Sequence, residues 1–423
     1  MTAKKFRGLR ARIFSFLGFT FLAIFCLASI AIFIRAWIMH PRIKLEAIPL
    51  KEKLQKPVIL LNPKHDQDNF YVVEKPGLVR WFPKNSAEIG GTFLDIRQWV
   101  AADRLEDGLL NMAFDPQYPN RPYVYVYFTA DQPKRNRLVR LTVSENRKVE
   151  LDSALDILDI PHPRFDHNGG GLLFGPDGYL YLSVGDGQNL KKLFHKLQDR
   201  STLYGALLRI DVSNSSPESP YSIPPNNPFV GASDQSRPEI YAYGFRNLWS
   251  FHFLPDGRIV GADVGQAKLE ELTEIKKGKS HGWPILEGHE CYKKANCQRE
   301  QHVEPLASFS HLHMKCALAG FKYQGSEIKW LKGRYIFGDC FRGLFYIDQL
   351  ESNEIQKKAH YLFPKLPVPD IRFNAKISIW SSLFEDSDGE IYAINYRGVI
   401  FKISPQNIFE KFLGWTYMLT AFW

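Results

Sequence analysis

The sequence predicts an all-β protein: a six-bladed β-propeller of four-stranded antiparallel blades, preceded by an N-terminal transmembrane helix. Three observations lead there. Aromatic residues make up 14% of the 423-residue chain, with Phe and Tyr dominant, and such side chains suit pleated, half-buried surfaces. A hairpin motif recurs through the body of the chain, while long helix-period stretches are scarce. One uncharged run of 22 residues, Ile13 to Ile34, stands apart from all that follows.

The elements follow in order. Residues 1–12, MTAKKFRGLRAR, carry five basic side chains. Residues 13–34, IFSFLGFTFLAIFCLASIAIFI, are long enough to cross a bilayer's hydrocarbon core as a helix. The basic N-terminal flank puts that end in the cytoplasm and the body in the periplasm or extracellular space, as a single-pass membrane protein. A cleaved signal peptide competes, with Ala28–Ala31 as the cleavage site, but the run exceeds the usual apolar core of about 7–15 residues. Cys26 follows bulky Phe25 and is a poor lipidation site. Residues 35–56 read as a mixed, charged stalk, residues 57–405 as the propeller, and residues 406–423 as an aromatic tail.

Within the propeller the strand signals are NFYVVEKPGLVRWF (69–82), PYVYVYFTA (122–130), LLFGPDGYLYLSVGD (172–186), FHFLPDGRIVGADVG (251–265), KGRYIFGDCFRGLFYI (332–347) and SLFEDSDGEIYAINYRGVIFKI (382–403). Three share a pattern, Phe-x-x-Asp-Gly-x-(Ile/Leu), at Phe174–Leu180, at Phe253–Ile259 and, with one extra residue, at Phe384–Ile391. Asp-Gly tolerates the positive φ of a hairpin turn. A hairpin repeating through about 350 residues, at roughly 50–60 residues per blade, gives six blades. A long β-sandwich is the alternative. Residues 213–238, rich in Ser, Pro and Asn, read as a disordered insertion or a functional loop over one face.

The formal net charge is +9, and the first dozen residues supply five of those charges. No Lys/Arg stripe with interleaved aromatics points to a nucleic-acid partner. Besides Cys26 the chain has Cys291, Cys297, Cys316 and Cys340, an even number in a segment expected outside the cytosol, where disulfides persist. Cys291 and Cys297 could close a small loop and Cys316 could join Cys340, but sequence cannot choose among three connectivities. Zinc ligation with His311 or His313 is the rival, weakened by the lack of a CxxC pair.

Three stretches could carry chemistry. In FDHNGGGLLFGPDGYLYLSVGDGQN (165–189), His167 precedes three glycines that allow close approach by a ligand. The Asp177-Gly178 turn returns the chain, so His167 and Asp186 share a face, as a base and its orienting carboxylate require. The plainer reading is a turn-capping His. In YAYGFRNLWSF (241–251), Arg246 and Asn247 precede another hairpin, where a guanidinium could stabilise an oxyanion or a cofactor carboxylate; an Arg bracing a blade is the plainer reading. In DVGQAKLEELTEI (263–275), backbone carbonyls with Glu270 and Glu271 are hard oxygen ligands for Ca2+, against a plainer solvated acidic stretch.

These blocks, with GLLNMAFDPQYPNRPYVYVYF before them and HGWP after, resemble the soluble quinoprotein glucose and aldose sugar dehydrogenases, also called glucose/sorbosone dehydrogenases. The resemblance runs from about Pro57 to Ile403, and EGHECYKKANC resembles the hedgehog-interacting-protein-like branch. It implies a propeller holding pyrroloquinoline quinone (PQQ) and Ca2+. By the resemblance, His167 takes the proton of a sugar hydroxyl as hydride passes to the quinone, Asp186 tunes it and Arg246 stabilises charge. Glu106, Asn247, Gly265, Gln266, Glu270 and Arg342 fall at cofactor positions. Gly265, Gln266, Glu270 and Glu271 fall at calcium positions. Phe341 stands where the family carries a Lys, Ser381 and Ser382 where it carries an Arg-Asp pair, and Glu106 where it carries a neutral amide type. Two function classes follow: a PQQ-dependent oxidoreductase acting on an aldose or related alcohol with an unspecified electron acceptor, or a non-catalytic, calcium-stabilised propeller that binds a ligand or protein. A calcium-dependent lactone hydrolase is a third.

Overall fold

The computed structural model describes residues 43–162, 164, 166–188, 196–293, 297–348, 350, 359–363 and 379–406. The expected membrane helix at 13–34 and the tail after residue 406 lie outside them. Among the described residues no helix is long and apolar enough to cross a membrane.

Six four-stranded antiparallel sheets form the blades. Blade 1 runs Pro57–Leu61, Asn69–Glu74, Leu78–Pro83 and Gly91–Asp95. Blade 2 runs Leu109–Phe114, Tyr123–Ala130, Arg135–Val143 and Val149–Pro161. Blade 3 runs Leu172–Phe174, Leu180–Val184, Ala206–Ile210 and Ile240–Tyr243. Blade 4 runs Leu248–Phe253, Ile259–Asp263, Leu269–Glu274 and Ala307–Ser310. Blade 5 runs Ala317–Lys322, Tyr335–Asp339, Gly343–Ile347 and His360–Phe363. Blade 6 runs Trp380–Glu385, Ile391–Asn395, Val399–Pro405 and, from the other end of the chain, Ile43–Ala47.

That last strand corrects the domain reading. Part of the expected stalk is the outer strand of blade 6, with Leu45 opposite Ile403. The start and finish of the described chain are thus laced into one sheet, and the first strand of blade 6 packs on that of blade 1. The pairing partners are more than 350 residues apart, beyond the reach of local pattern.

The core lies between blades. Each of six buried apolar clusters joins two neighbouring sheets; one sets Tyr125, Tyr127 and Leu138 of blade 2 against Leu180, Leu182 and Leu208 of blade 3. A sheet covered on both faces reads as a continuous apolar run rather than an alternating one, and Leu180–Val184 is buried throughout.

The Asp-Gly turns join first to second strands, with Gly178 and Gly257 at φ 81° and 86°. They all lie at one end of the blades. The loops before each first strand, and those between second and third strands, lie at the other end, which is the face that carries the site. The 213–238 segment joins the third and fourth strands of blade 3 and so lies with the Asp-Gly turns. It is strapped down: Arg209 donates to Asp177 Oδ2, Asn226 Oδ1 and Asn227 Oδ1. Asn227 in turn donates to the carbonyls of Arg209 and Pro238. Disulfides join Cys291 to Cys297 and Cys316 to Cys340, which leaves no cysteine of the body for zinc.

Candidate functional site

His167 stands in the loop entering blade 3, Asp186 in the loop after that blade's second strand, and Arg246 in the loop entering blade 4. The His167 loop lies hard on its blade. A Cβ on Gly169 (φ 73°) would meet the Ser183 carbonyl oxygen at 2.2 Å, and one on Gly185 would meet the His167 carbonyl oxygen at 2.1 Å. Only glycine fits at either place, which explains the glycines flanking the motif. His167 itself takes a left-handed backbone, φ 60°, a conformation uncommon for non-glycine residues and enriched at functional sites.

The structure brings the three residues into one chain of hydrogen bonds. His167 Nδ1 lies 2.6 Å from Asp186 Oδ1. Asp186 also accepts from Trp283 Nε1 at 2.8 Å and from the Gln188 N–H at 2.8 Å. An acceptor-only carboxylate makes Nδ1 the donor and leaves the lone pair on Nε2. Arg246 Nη2 donates to that Nε2 at 2.8 Å. Arg246 also donates to the Val264 carbonyl at 2.7 Å and to Gln266 Oε1 at 3.0 Å, and its guanidinium lies over the Trp283 ring.

Carboxylates set the backbone here. Glu106 Oε2 accepts the His167 N–H at 2.6 Å, and burial pushes the Glu106 pKa up. Asp263 accepts the N–H groups of Arg246 and Asn247 at 2.8 and 2.6 Å. Burial raises Asp263 to about 7, and burial followed by the Asp263 charge raises Glu271, its cross-strand neighbour. Asn247 Oδ1 accepts the Gly169 N–H at 3.0 Å, tying the Arg246 loop to the His167 loop.

Beside this chain, at the first-strand mouth of the ring, lies a cavity of about 240 Å³. Leu105, Leu110, Trp249, Trp380, Phe341 and the Cys316–Cys340 disulfide give it an apolar wall, and Glu106, Asp107, Asn247, Ser381, Tyr396, Lys75 and Lys315 are its polar and charged lining. Sequence reasoning missed both lysines. Lys75 follows the second strand of blade 1, as Asp186 does in blade 3. Lys315 precedes the first strand of blade 5, as Arg246 does in blade 4. Reading loops by their place in the repeat would have found both. Lys75 is buried, donates to the carbonyls of Ala102 and Arg104, and is pushed down to about 8 by burial. Lys315 is exposed and forms no ion pair among the described residues.

Three residues expected as ligands, Arg342, Glu270 and Glu271, are placed otherwise, and the two serines that replace the family's Arg-Asp pair brace the ring. Arg342 is absent from the cavity wall, and its N–H donates to Asp339 Oδ1; Phe341 is the wall residue. Ser381 and Ser382 donate to the carbonyls of Pro57 and Val58, bracing blade 6 on blade 1. Glu270 accepts from His311 Nε2 at 2.9 Å and the Ala317 N–H at 2.9 Å, toward blade 5. Glu271 accepts the Gly288 N–H at 2.5 Å. Both glutamates, expected as calcium ligands, are thus turned to protein donors, and among the described residues no group of three His, Cys, Asp or Glu side chains is disposed to hold a metal.

The 265–269 loop has its own support. Glu287 Oε1 accepts the N–H groups of Gln266, Ala267, Lys268 and Leu269 at 2.9, 2.6, 2.7 and 3.3 Å. Successive N–H groups aimed at one oxygen form a closed nest, which leaves cation-binding capacity in this loop to its carbonyls.

The sequence profile of the glucose/sorbosone dehydrogenases matches residues 54–393. The chain belongs to the glucose/sorbosone dehydrogenase family. Human Hedgehog-interacting protein is 29% identical over 308 residues, 68% of this chain but 41% of that protein. Quinoprotein glucose dehydrogenase B of Acinetobacter calcoaceticus is 31% identical over 208 residues, 44% of this chain and 41% of that one. The chain therefore spans about two fifths of the length of these curated relatives. Among solved structures, PQQ-bound aldose sugar dehydrogenase from Streptomyces coelicolor superposes with TM-score 0.63 at 20% identity, covering 86% of this chain and 99% of that one. At that identity the superposition speaks for the propeller alone. In this chain the His167–Asp186 pair and Arg246 form one hydrogen-bonded chain, and the neighbouring cavity draws its cations from blades 1 and 5.

Proposed function

We propose that the protein is a quinoprotein oxidoreductase that oxidises a hydroxyl of an aldose or related alcohol, with PQQ as its cofactor. The observation that carries this reading is His167, its Nδ1–H held by buried Asp186 and its Nε2 lone pair aimed at Arg246 beside an apolar cavity. The lining fits a flat, anionic aromatic group. Trp249, Trp380 and Phe341 offer apolar faces, and Lys315 offers a cation with no ion pair among the described residues. Glu106 and Asp107, anions by type, both have their pKa values raised by burial, which lessens their repulsion of an anionic ligand.

PQQ, when bound, supplies the hydride acceptor. The chain's own residues do the rest. His167 Nε2 takes the proton of the reacting hydroxyl, and Asp186 holds the ring in the tautomer that can do so while stabilising the imidazolium that forms. Loss of that proton makes the geminal C–H a better hydride donor. Arg246 releases Nε2 to do this and carries its charge toward oxygens of the bound ligands. A Ca2+ ion at this face would draw on the carbonyls of Gly265 and Gln266, which the Glu287 nest orients. Residues 13–34 serve as a single-pass anchor with the body outside the cytoplasm, a placement supported by the two disulfides.

The test uses the full chain in detergent with PQQ, Ca2+ and an artificial electron acceptor. Aldoses should bleach the oxidised cofactor's absorbance, and His167→Ala should abolish turnover with the cofactor still bound. Absence of PQQ binding at tens of micromolar sinks the enzyme reading. It would favour a second reading, a non-catalytic binding propeller. The hydrogen bond from Arg246 to Nε2 supports that reading, since it satisfies the site without a ligand. So does the similarity to a relative whose name states a protein partner.

A further inference from the structure

Blades 6 and 1 leave a second cleft, about 630 Å³, beside the central cavity. Ile379 and Tyr396 line both, so the two share a wall. Its charge is one-sided: Lys53, Lys56 and Arg397 line it, and no carboxylate does. Lys56 and Arg397 are exposed and form no ion pair among the described residues. Lys75 stands just behind, its N–H on the Lys56 carbonyl at 3.1 Å and its pKa lowered by burial and then by the Lys56 charge. Like charges gathered this closely repel, and an anion placed among them relieves that repulsion. Apart from exposed Gln55, the remaining lining is apolar or aromatic: Leu54 is buried, while Pro76 and Tyr396 are half-buried. A ring face beside exposed cations is what a sugar unit bearing an anionic group would meet.

We propose that this cleft binds the anionic group of an acidic saccharide, with the adjoining sugar ring on Tyr396 and the next unit in the central cavity. The reacting end rests on the dehydrogenase reading above; the acidic subsite does not, because it needs neither cofactor nor His167. The anion's source is a carboxylate, as in a uronate, or a phosphate ester, and the experiment separates them.

Calorimetry on the full chain in detergent, without PQQ, would compare digalacturonate, glucose 6-phosphate, maltose and inorganic phosphate. The acidic sugars should bind at least about tenfold more tightly than maltose and weaken with added salt. The double variant Lys56→Glu/Arg397→Glu should lose about tenfold for the acidic sugars while unfolding at the wild-type urea midpoint, since both side chains are exposed. The tighter of digalacturonate and glucose 6-phosphate identifies the anion. Equal binding of maltose, or unchanged affinity in the double variant, overturns the proposal. So does inorganic phosphate binding as tightly as the acidic sugars, which would mark a bare-anion site. Acidic-sugar binding should persist in His167→Ala; binding by a wild-type protein that shows no turnover with PQQ, Ca2+ and an acceptor supports the cleft and sinks only the dehydrogenase reading.

Discussion

Glu287→Ala should loosen the loop that carries Gly265 and Gln266. Glu287 Oε1 accepts four backbone N–H groups, the shortest at 2.6 and 2.7 Å from Ala267 and Lys268. One oxygen has two good acceptor directions, so the four contacts amount to two full charge-assisted bonds, each worth about 1.5–3 kcal/mol. The alanine variant should therefore lose about 3–6 kcal/mol, toward the low end where water reaches the freed amides. Glu287→Gln keeps an oxygen but not the charge and should lose about half as much. Urea unfolding of the full chain measures the global change, and hydrogen exchange at Ala267 and Lys268 measures the local one. A loss below about 1 kcal/mol in the alanine variant, with those amides still protected, would refute the idea that Glu287 shapes the loop.

Asp186→Asn should lower turnover by about 10³–10⁴-fold with PQQ affinity unchanged, because an amide cannot enforce the tautomer that frees Nε2; steady-state kinetics and a PQQ titration decide it, and near-normal turnover removes Asp186 from the mechanism. Lys315→Ala should weaken PQQ at least about tenfold without moving the urea midpoint, because an unpaired exposed cation contributes to binding rather than folding; unchanged affinity means the cofactor is not held there. His281 is buried, stacked on Phe245, and its pKa is lowered to about 3 by burial. The unfolded state takes up its proton near 6.5, so this stability is present above about pH 6.5 and is lost as pH falls toward 3, at up to about 1.4 kcal/mol per pH unit. Urea midpoints between pH 7 and 4 should fall less steeply for His281→Asn, and an equal slope would deny His281 that role.

The hairpins were legible because their signal is local. Asp-Gly at 177–178, 256–257 and 388–389 marks turns that any reading of neighbours can find. The pairing of His167 with Asp186 was legible for the same reason: one hairpin and one turn separate them, so topology alone returns them to one face. Arg246 was legible by position in the next blade's entry loop. Lys75 and Lys315 were not seen, because each is one lysine in an unremarkable loop until the ring brings blades 1 and 5 to a common mouth. Arg342 was misplaced by a single residue: Phe341 takes the wall position, and the tight turn after Asp339 directs its neighbour elsewhere.

By itself the sequence determined the strand type, the recurring turns, the end of the ring that bears the site and the family, all of which follow from the order of neighbouring residues. Tertiary structure alone decided that Ile43–Ala47 closes blade 6, that Glu270 and Glu271 face protein donors, and that the cavity's cations are Lys75 and Lys315. Those outcomes depend on packing between segments tens to hundreds of residues apart, where which side chain meets which is settled by the closed ring and not by any window of the chain.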